Sequence, residues 1–282
     1  MGENFMEWNE KVAIITGAGG VLLSAFSKKL ASKGVKVACL SKNFDHAKKT
    51  ADSIISEGNV AKAYGCDVLD KNKLIEIEKE IYDDFGEYSI LINGAGGNMP
   101  KANTTNEKFS FDDLDDPNIC SFFDLDLNEI KNVLSVNFLG TVLTTQVFAK
   151  RMVKTAKSTI INFSSMAAFS PMTKVVGYSA SKAAVDNFTK WLSVHFAEQN
   201  VRVNSIAPGF FLTNQNRTLL TNKDGSLTDR SRKIFNNTPM KRFGIESDLF
   251  GALLFLCDDD ASGFVTGSII AVDGGFQAYS GV

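Results

Sequence analysis

The sequence predicts a single α/β domain, built as a doubly wound parallel sheet of seven strands with helices on both faces. Short apolar runs alternate with longer amphipathic segments along the 282 residues, which is the pattern of βαβ units. A chain of this length that is 44% hydrophobic can bury the core of one such domain. Because no internal repeat or low-complexity linker interrupts the pattern, we expect one domain over residues 1–282.

Seven apolar runs of strand length are distributed along the chain, and amphipathic segments separate them. We predict strands at 12–16, 35–40, 61–66, 90–93, 159–163, 201–206 and 268–272. Between these runs apolar residues recur at the spacing of one helix face. We therefore predict helices at 21–32, 45–57, 71–85, 127–154, 178–199 and 246–257.

Two segments are too long to be simple connections, and both follow predicted strands. One spans about 97–126 and the other about 209–242. Ligands of a doubly wound sheet bind beyond the carboxyl ends of its strands, and long loops in compact domains are usually functional or disordered. We expect both segments to be lids over a substrate pocket. The first is rich in aspartate and phenylalanine, and we interpret it as a solvated flap held by aromatic rings rather than as a metal site.

Composition excludes several other classes of function. A net charge of −2 gives no basic surface for nucleic acid. The four cysteines are scattered, which argues against a disulfide framework or a zinc site. Neither an apolar stretch of membrane length nor a signal-peptide core is evident. We therefore expect a cytoplasmic, soluble protein without a metal, and we interpret His46 and His195 as structural.

Three side chains with complementary chemistry lie close together in sequence. Tyr178 and Lys182 are four residues apart in a predicted helix, so they share one helix face, and Ser165 lies upstream at the end of a predicted strand. A cation beside a phenol lowers its pKa from about 10 and makes it a better proton shuttle at neutral pH. A serine hydroxyl beside it can bind the same substrate oxygen. The set indicates interconversion of an alcohol and a carbonyl group.

These residues and six further motifs, between Lys11 and Gly275, resemble the short-chain dehydrogenase/reductase family. The motifs are Thr16-Gly-Ala-Gly-Gly, Cys66-Asp-Val, Asn93-Gly-Ala-Gly, Val136-Asn-Phe-Leu-Gly, Arg202-Val-Asn-Ser-Ile-Ala-Pro-Gly and Val272-Asp-Gly-Gly. The resemblance implies a Rossmann-type fold and a nicotinamide cofactor. It also implies four roles: Tyr178 as general acid or base, Lys182 as its activator and ribose ligand, Ser165 as the group that orients the carbonyl, and Asn137 as the residue that kinks its helix and holds a relay water.

The resemblance further implies that NAD or NADP lies along one edge of the sheet. The implied cofactor-binding residues are Gly17, Gly19, Gly20, Leu22, Ser41, Lys42, Asp67, Val68, Asn93, Ala95, Gly96, Tyr178, Lys182, Pro208, Gly209 and Thr213. The glycine-rich turn departs from the family pattern, because Val21 and Leu23 stand where the later glycines would be. We expect binding to survive, since backbone N–H donors remain in this turn.

The choice between NAD and NADP depends on the end of the second strand, where an acidic residue would accept from the ribose 2′-hydroxyl. That position is Ser41, and Lys42 follows it. The missing carboxylate and the added cation favour NADP slightly. The subgroup that the chain resembles most is usually associated with NAD, so the preference stays open.

That subgroup comprises the D-mannonate/D-fructuronate oxidoreductases, which the segments Asn93-Gly-Ala-Gly-Gly-Asn-Met-Pro-Lys-Ala and Thr238-Pro-Met-Lys-Arg-Phe-Gly resemble. A sugar acid needs a cation and several amide or hydroxyl partners. Candidates on the two lids are Asn98, Lys101, Asn214, Gln215, Asn216 and Arg217, with Arg217 first for the carboxylate. The alternatives are another sugar-acid, polyol or 3-oxoacyl reductase of the family, or a nucleotide-binding member without turnover. The family also implies a homotetramer or homodimer formed through helices 127–154 and 178–199.

Overall fold

The architecture is a seven-stranded, fully parallel sheet, which confirms the predicted fold class. The computed structural model describes residues 8–155, 157–213, 220–222 and 224–281. The strand order is β3-β2-β1-β4-β5-β6-β7, so the chain reverses its direction of winding between β1 and β4. The strands are β1 Val12–Thr16, β2 Lys36–Ser41, β3 Ala61–Gly65, β4 Ile90–Asn93, β5 Ser158–Phe163, β6 Val201–Pro208 and β7 Ile269–Val272.

Each predicted helix is present, with boundaries that differ by a few residues. The helices are α1 Val21–Ala31, α2 Phe44–Ser56, α3 Lys71–Phe85, α4 Leu127–Leu134, α5 Gly140–Met152, α6 Val176–His195, α7 Asp229–Asn237, α8 Phe250–Cys257 and α9 Asp259–Ser262. The short helices α7 and α9 were not predicted. Asn43 and Asp70 cap the N-termini of α2 and α3 by accepting backbone N–H groups.

The core has two halves, one on each face of the sheet. Successive residues of β1 point to opposite faces: Ala13 and Ile15 pack with α1 and α8, whereas Val12 and Ile14 pack with α3 and α5. All five residues of β1 are buried. Burial on both faces is expected of a central parallel strand, and it fixes the position of the strand's carboxyl end, where the site forms.

The predicted helix 127–154 is interrupted at its centre. A π-helical turn, Ser135–Leu139, separates α4 from α5. Over the described residues, the combined helix Leu127–Met152 is long and apolar enough to cross a membrane, which the sequence analysis did not anticipate. Its residues Phe148 and Met152 are fully buried in the core against the sheet. The apolar character of this helix therefore serves packing within the domain.

The aspartates of the first long segment cap its turns. Asp113 accepts the backbone N–H of Ser110, Asp124 accepts that of Ser121, and Asp126 caps α4. The second long segment contains α7, whose Ile234 packs in a small separate cluster. Lys233 on α7 donates to both carboxylate oxygens of Glu107 at 3.0 Å. This exposed ion pair joins the two long segments to each other.

Candidate active site

The turn after β1 is fixed by a close approach to the loop after β4. Gly17 has a φ of +72°, and a Cβ there would lie 2.8 Å from the Gly94 carbonyl oxygen. The Thr16 hydroxyl oxygen accepts the N–H groups of Gly94 and Ala95 at 3.1 and 3.2 Å. A residue with a side chain would be strained and crowded at position 17. The two loops are therefore closely packed and hydrogen-bonded to each other beside the ends of β1 and β4.

Leu23 occupies a space that the neighbouring loop leaves free. Its side chain is buried in the core, and its Cδ1 lies 2.4 Å from the point where a Cβ on Gly94 would be. The bulk that replaces the expected glycine is thus accommodated by a glycine on the opposite loop. Leu23 borders a cleft of about 500 Å³ without filling it.

That cleft runs along the carboxyl edge of the sheet and contains most of the predicted cofactor-binding residues. Those that line it are Gly17, Gly19, Gly20, Leu22, Ser41, Lys42, Asp67, Val68, Ala95, Gly96, Tyr178, Lys182 and Thr213. The sequence analysis missed His46, Cys66, Val136 and Phe163, which line it too. The sequence analysis interpreted His46 as structural, but this residue borders the cleft. Its place in the first turn of α2, directly after β2, was the available signal.

Three predicted cofactor-binding residues do not line the cleft. The amide of Asn93 is buried and donates to Thr145 and Asn162, both at 2.9 Å. Pro208 pairs with Val272 in the sheet, and a Cβ on Gly209 would lie 2.6 Å from the Cα of Asp273. These residues hold the strand ends together, and their contact with the cofactor stays a prediction.

An ion pair lies at the end of the cleft beside β2 and β3. Lys42 Nζ is 2.8 Å from Asp67 Oδ2, and the hydrogen bond from Lys42 holds the pKa of Asp67 below its ordinary value. Gly19 packs tightly against the same corner, because a Cβ there would lie 2.5 Å from His46 Cβ and 3.0 Å from Ser41 Oγ. Lys42 is thus engaged by a carboxylate in the structure, an arrangement that sequence analysis did not foresee.

Lys182 is buried at the opposite end of the cleft. Its ammonium donates to the Phe163 carbonyl at 2.8 Å and lies 5.7 Å from the centre of the Tyr178 ring. Burial lowers the pKa of Lys182 to about 8, and the negative charge of Asp186 opposes that shift. Helix α6 carries Tyr178 and Lys182 on one face, as their four-residue spacing predicted.

The Tyr178 and Ser165 hydroxyls are hydrogen-bonded to each other. Burial raises the pKa of Tyr178, and the hydrogen bond with Ser165 offsets only part of this rise. Burial is therefore the larger effect on the Tyr178 pKa in this arrangement, in which the Lys182 ammonium donates to the Phe163 carbonyl, and the expectation that Lys182 lowers this pKa stays a prediction. The pair nevertheless presents two hydroxyl groups to one point, as binding of a single substrate oxygen requires.

Asn137 lies in the π turn and clamps the loop after β4. Its Oδ1 accepts the Gly97 N–H at 3.0 Å, and its Nδ2 donates to the carbonyls of Gly97 and Val133 at 2.7 and 2.9 Å. A Cβ on Gly96 would lie 2.2 Å from Asn137 Oδ1 and 3.7 Å from Lys182 Nζ. The structure therefore brings together all four predicted catalytic residues, and the interrupted helix agrees with the implied kink.

The predicted substrate residues are less completely placed. Asn98 is exposed beside the loop after β4 and donates to Asn103 at 3.0 Å. Lys101 is exposed in the same segment. Asn214, Gln215, Asn216 and Arg217 lie outside the described residues.

The chain matches known proteins over nearly its whole length. Residues 11–224 match the family described as short chain dehydrogenase. An uncharacterised oxidoreductase of Haemophilus influenzae is 52% identical over 272 residues, which cover 96% of this chain and 95% of that protein. The chain therefore belongs to the short-chain dehydrogenase/reductase family, and it is an NAD(P)-dependent oxidoreductase that acts on CH–OH groups.

Two crystal structures carry cofactors on the same fold. A protein of Haemophilus influenzae with bound NAD, named provisionally as a D-mannonate oxidoreductase, is 51% identical with a TM-score of 0.94, and each chain is covered to 97%. A gluconate 5-dehydrogenase of Burkholderia cenocepacia in complex with NADP and tartrate is 26% identical with a TM-score of 0.81, covering 95% of this chain and 96% of that one.

Proposed function

We propose that this enzyme interconverts the secondary alcohol and the ketone of a sugar acid, with D-mannonate and D-fructuronate as the first candidate pair. One observation carries the proposal: Tyr178 and Lys182 line the cleft of about 500 Å³ at the carboxyl edge of the sheet, with Ser165 beside Tyr178 and Asn137 against the loop next to Lys182. The 51% identical NAD-bound protein, with its provisional name, supports this substrate. Asn98, Asn216 and Arg217 are the proposed substrate contacts, on lids at about 97–126 and 209–242.

The proposed chemistry assigns each side chain one task. When bound, the nicotinamide supplies or accepts the hydride, so the protein has to position the substrate and manage one proton. Ser165 and Tyr178 both donate to the carbonyl oxygen, and Tyr178 transfers its proton as that oxygen gains charge. Lys182 stabilises the resulting phenolate by its positive charge, and Asn137 holds the loop at Gly96 and Gly97 in place. In the oxidative direction Tyr178 takes the proton back.

The residues at both ends of the cleft fit a nicotinamide dinucleotide. The glycine-rich turn leads directly into the N-terminus of α1, whose free backbone N–H groups suit a pyrophosphate. We propose NAD as the preferred form. A 2′-phosphate would have to draw Lys42 away from Asp67 and would then lie near that carboxylate. Because an exposed ion pair contributes at most about 1 kcal/mol, the resulting preference is modest.

The proposed function also includes the oligomeric state of the enzyme and its location in the cell. A groove of about 430 Å³ lies between the outer faces of α5 and α6, and Phe188, Trp191 and His195 form a stack along it. Trp191 is 58% exposed in the single chain. We propose that a second copy covers this face in a homodimer or homotetramer. A cytoplasmic location follows from the use of the cell's nicotinamide pool.

A substrate panel tests the proposed function. The purified enzyme is supplied with NADH or NADPH and with D-fructuronate, other keto sugar acids, keto polyols or 3-oxoacyl thioesters, and nicotinamide absorbance is followed. We expect the highest kcat/KM with a keto sugar acid and NADH. A preference for acyl thioesters would overturn the substrate class. Faster turnover with NADPH would overturn the cofactor preference alone.

A further inference from the structure

Asp186 is a buried carboxylate to which the proposed chemistry gives no task. It lies on α6, one turn beyond Lys182, and only 7% of the residue is exposed. Its Oδ1 accepts from the Ser205 hydroxyl at 3.4 Å, and that hydroxyl also donates to the Asn162 carbonyl at 3.0 Å. Among the described residues, Asp186 takes part in none of the close ion pairs.

A carboxylate in this position is costly unless something compensates for it. Burying an ionised group is unfavourable when it is neither paired nor well hydrogen-bonded. Burial accordingly raises the pKa of the Asp186 carboxyl, whereas neighbouring serine hydroxyl groups and the charges of Lys190 and Lys182 oppose that rise. The side chain is also four residues from Lys182, so the two groups share one face of the helix and point into the same buried layer. Two buried groups of opposite charge at this spacing each favour the ionised form of the other.

We propose that Asp186 is a positioning residue that keeps Lys182 charged and seated on the Phe163 carbonyl. The inference rests on the role proposed above for Lys182. A neutral lysine could still donate one hydrogen bond, but it would no longer stabilise a phenolate on Tyr178. The carboxylate acts through Lys182 and makes no contact with the substrate itself.

The surroundings of the two groups contain few other charges. On α6, Tyr178 and Asp186 face Lys182, and Lys190 acts on Asp186 from the next turn. From the elements packed against Lys182, β5 presents the Phe163 carbonyl and the loop after β4 presents Gly96 beside the Asn137 amide. Burial lowers the pKa of Lys182 to about 8, and Asp186 is the charge that opposes this shift. The ionisation of Lys182 thus falls close to the working pH.

The substitution Asp186→Asn tests the proposal, because it keeps the shape of the side chain and removes its charge. We expect activity near pH 6.5 to stay within about threefold of the wild type, because Lys182 remains protonated there. The high-pH limb of the kcat profile should move down by on the order of one pH unit, the scale of a neighbouring opposite charge. Ser205→Ala, which keeps the carboxylate, should leave the limb in place. A loss by one constant factor at every pH, with the limb unmoved, would overturn the proposal.

A second measurement does not depend on the substrate. Nitrogen-15 NMR of the lysine Nζ groups titrates Lys182 directly, and the signal is assigned by its absence in Lys182→Met. In the same wild-type protein, carbon-13 NMR of the aspartate carboxyl groups reports the charge of Asp186. The proposal requires Asp186 to be ionised between pH 6 and 9. A protonated Asp186 over this range would overturn it, whatever the substrate panel shows.

Discussion

The ammonium of Lys182 is buried and donates to the Phe163 carbonyl, and this burial has a consequence for stability. Its folded pKa is about 8, compared with 10.5 for the free side chain. Between these values the unfolded chain binds a proton that the folded chain has lost, so this group adds stability as the pH rises from about 8 to about 10. Below pH 8 both states are protonated, and the cost of burying the charge is constant.

Lys182→Met isolates this effect. The difference in unfolding free energy between the wild type and the variant should move in favour of the wild type as pH rises through this window. The full change is about 3 kcal/mol, from the size of the pKa shift. Urea unfolding at pH 7, 8.5 and 10 measures it. A difference that is constant over this range would show that Lys182 titrates at its ordinary value in the folded protein.

At the scale of single residues, the sequence was sufficient to predict the placement of those whose chemistry depends on local spacing. Tyr178 and Lys182 share a helix face by their four-residue separation, and both line the cleft. Contacts between side chains that are distant in sequence were not predictable in the same way. Lys42 and Asp67 follow different strands, so their ion pair becomes visible only when β2 and β3 lie side by side. The net direction of the Tyr178 pKa shift was not predictable for a similar reason, because burial depends on the whole fold.

Among the secondary-structure elements, the π turn between α4 and α5 has the most direct influence on the site. One extra residue per turn at Ser135–Leu139 directs Asn137 at the loop after β4 instead of along the helix. The hydrophobic pattern of 127–154 is continuous, so it predicted one uninterrupted helix. Helix α7 was missed because it is strongly polar and buries only Ser231 and Ile234.

The contact between the π turn and the loop gives a matched pair of substitutions. At Gly96 a Cβ would meet Asn137 Oδ1 at 2.2 Å, whereas at Gly97 no described atom lies within 4 Å of a Cβ. Gly96→Ala should therefore displace Asn137 and lower kcat/KM by about a hundredfold, the scale of a displacement of about 1 Å in a catalytic site. Gly97→Ala should stay within about threefold of the wild type. Steady-state kinetics and thermal unfolding of both variants measure these effects. Equal losses of kcat/KM in the two variants would contradict the proposed role of the contact between Asn137 and this loop.

Over the whole molecule, the doubly wound topology explains why the site forms where it does. The carboxyl ends of β1 and β4 meet at the reversal of strand order, and the glycine turn, the loop after β4 and α6 converge there. The sequence predicted this edge because ligands follow topology in such folds. The sequence left the choice between NAD and NADP open, since that choice depends on side-chain contacts at the end of the cleft beside β2 and β3 and not on topology.

The proposed assembly has its own test at this scale. Trp191 lies exposed in the apolar groove between α5 and α6. Trp191→Glu places a charge in that groove and should reduce the mass measured by light scattering at micromolar concentration, because burying an unpaired charge is costly. Trp191→Phe, which stays apolar, should leave the mass unchanged. A wild-type protein that is already a monomer would contradict the proposal.

The central claim is that Tyr178 supplies the proton when the ketone of a sugar acid is reduced in this cleft. The most direct test is the oxidation of NADH in the presence of D-fructuronate by the wild type and by Tyr178→Phe. We predict turnover by the wild type and a loss of about a thousandfold in kcat for the variant, within the range of general acid catalysis. NADH binding, followed by fluorescence, should be nearly unchanged. Near-normal turnover by Tyr178→Phe would contradict the role of Tyr178, and a wild type that binds NADH but does not reduce D-fructuronate would contradict the substrate.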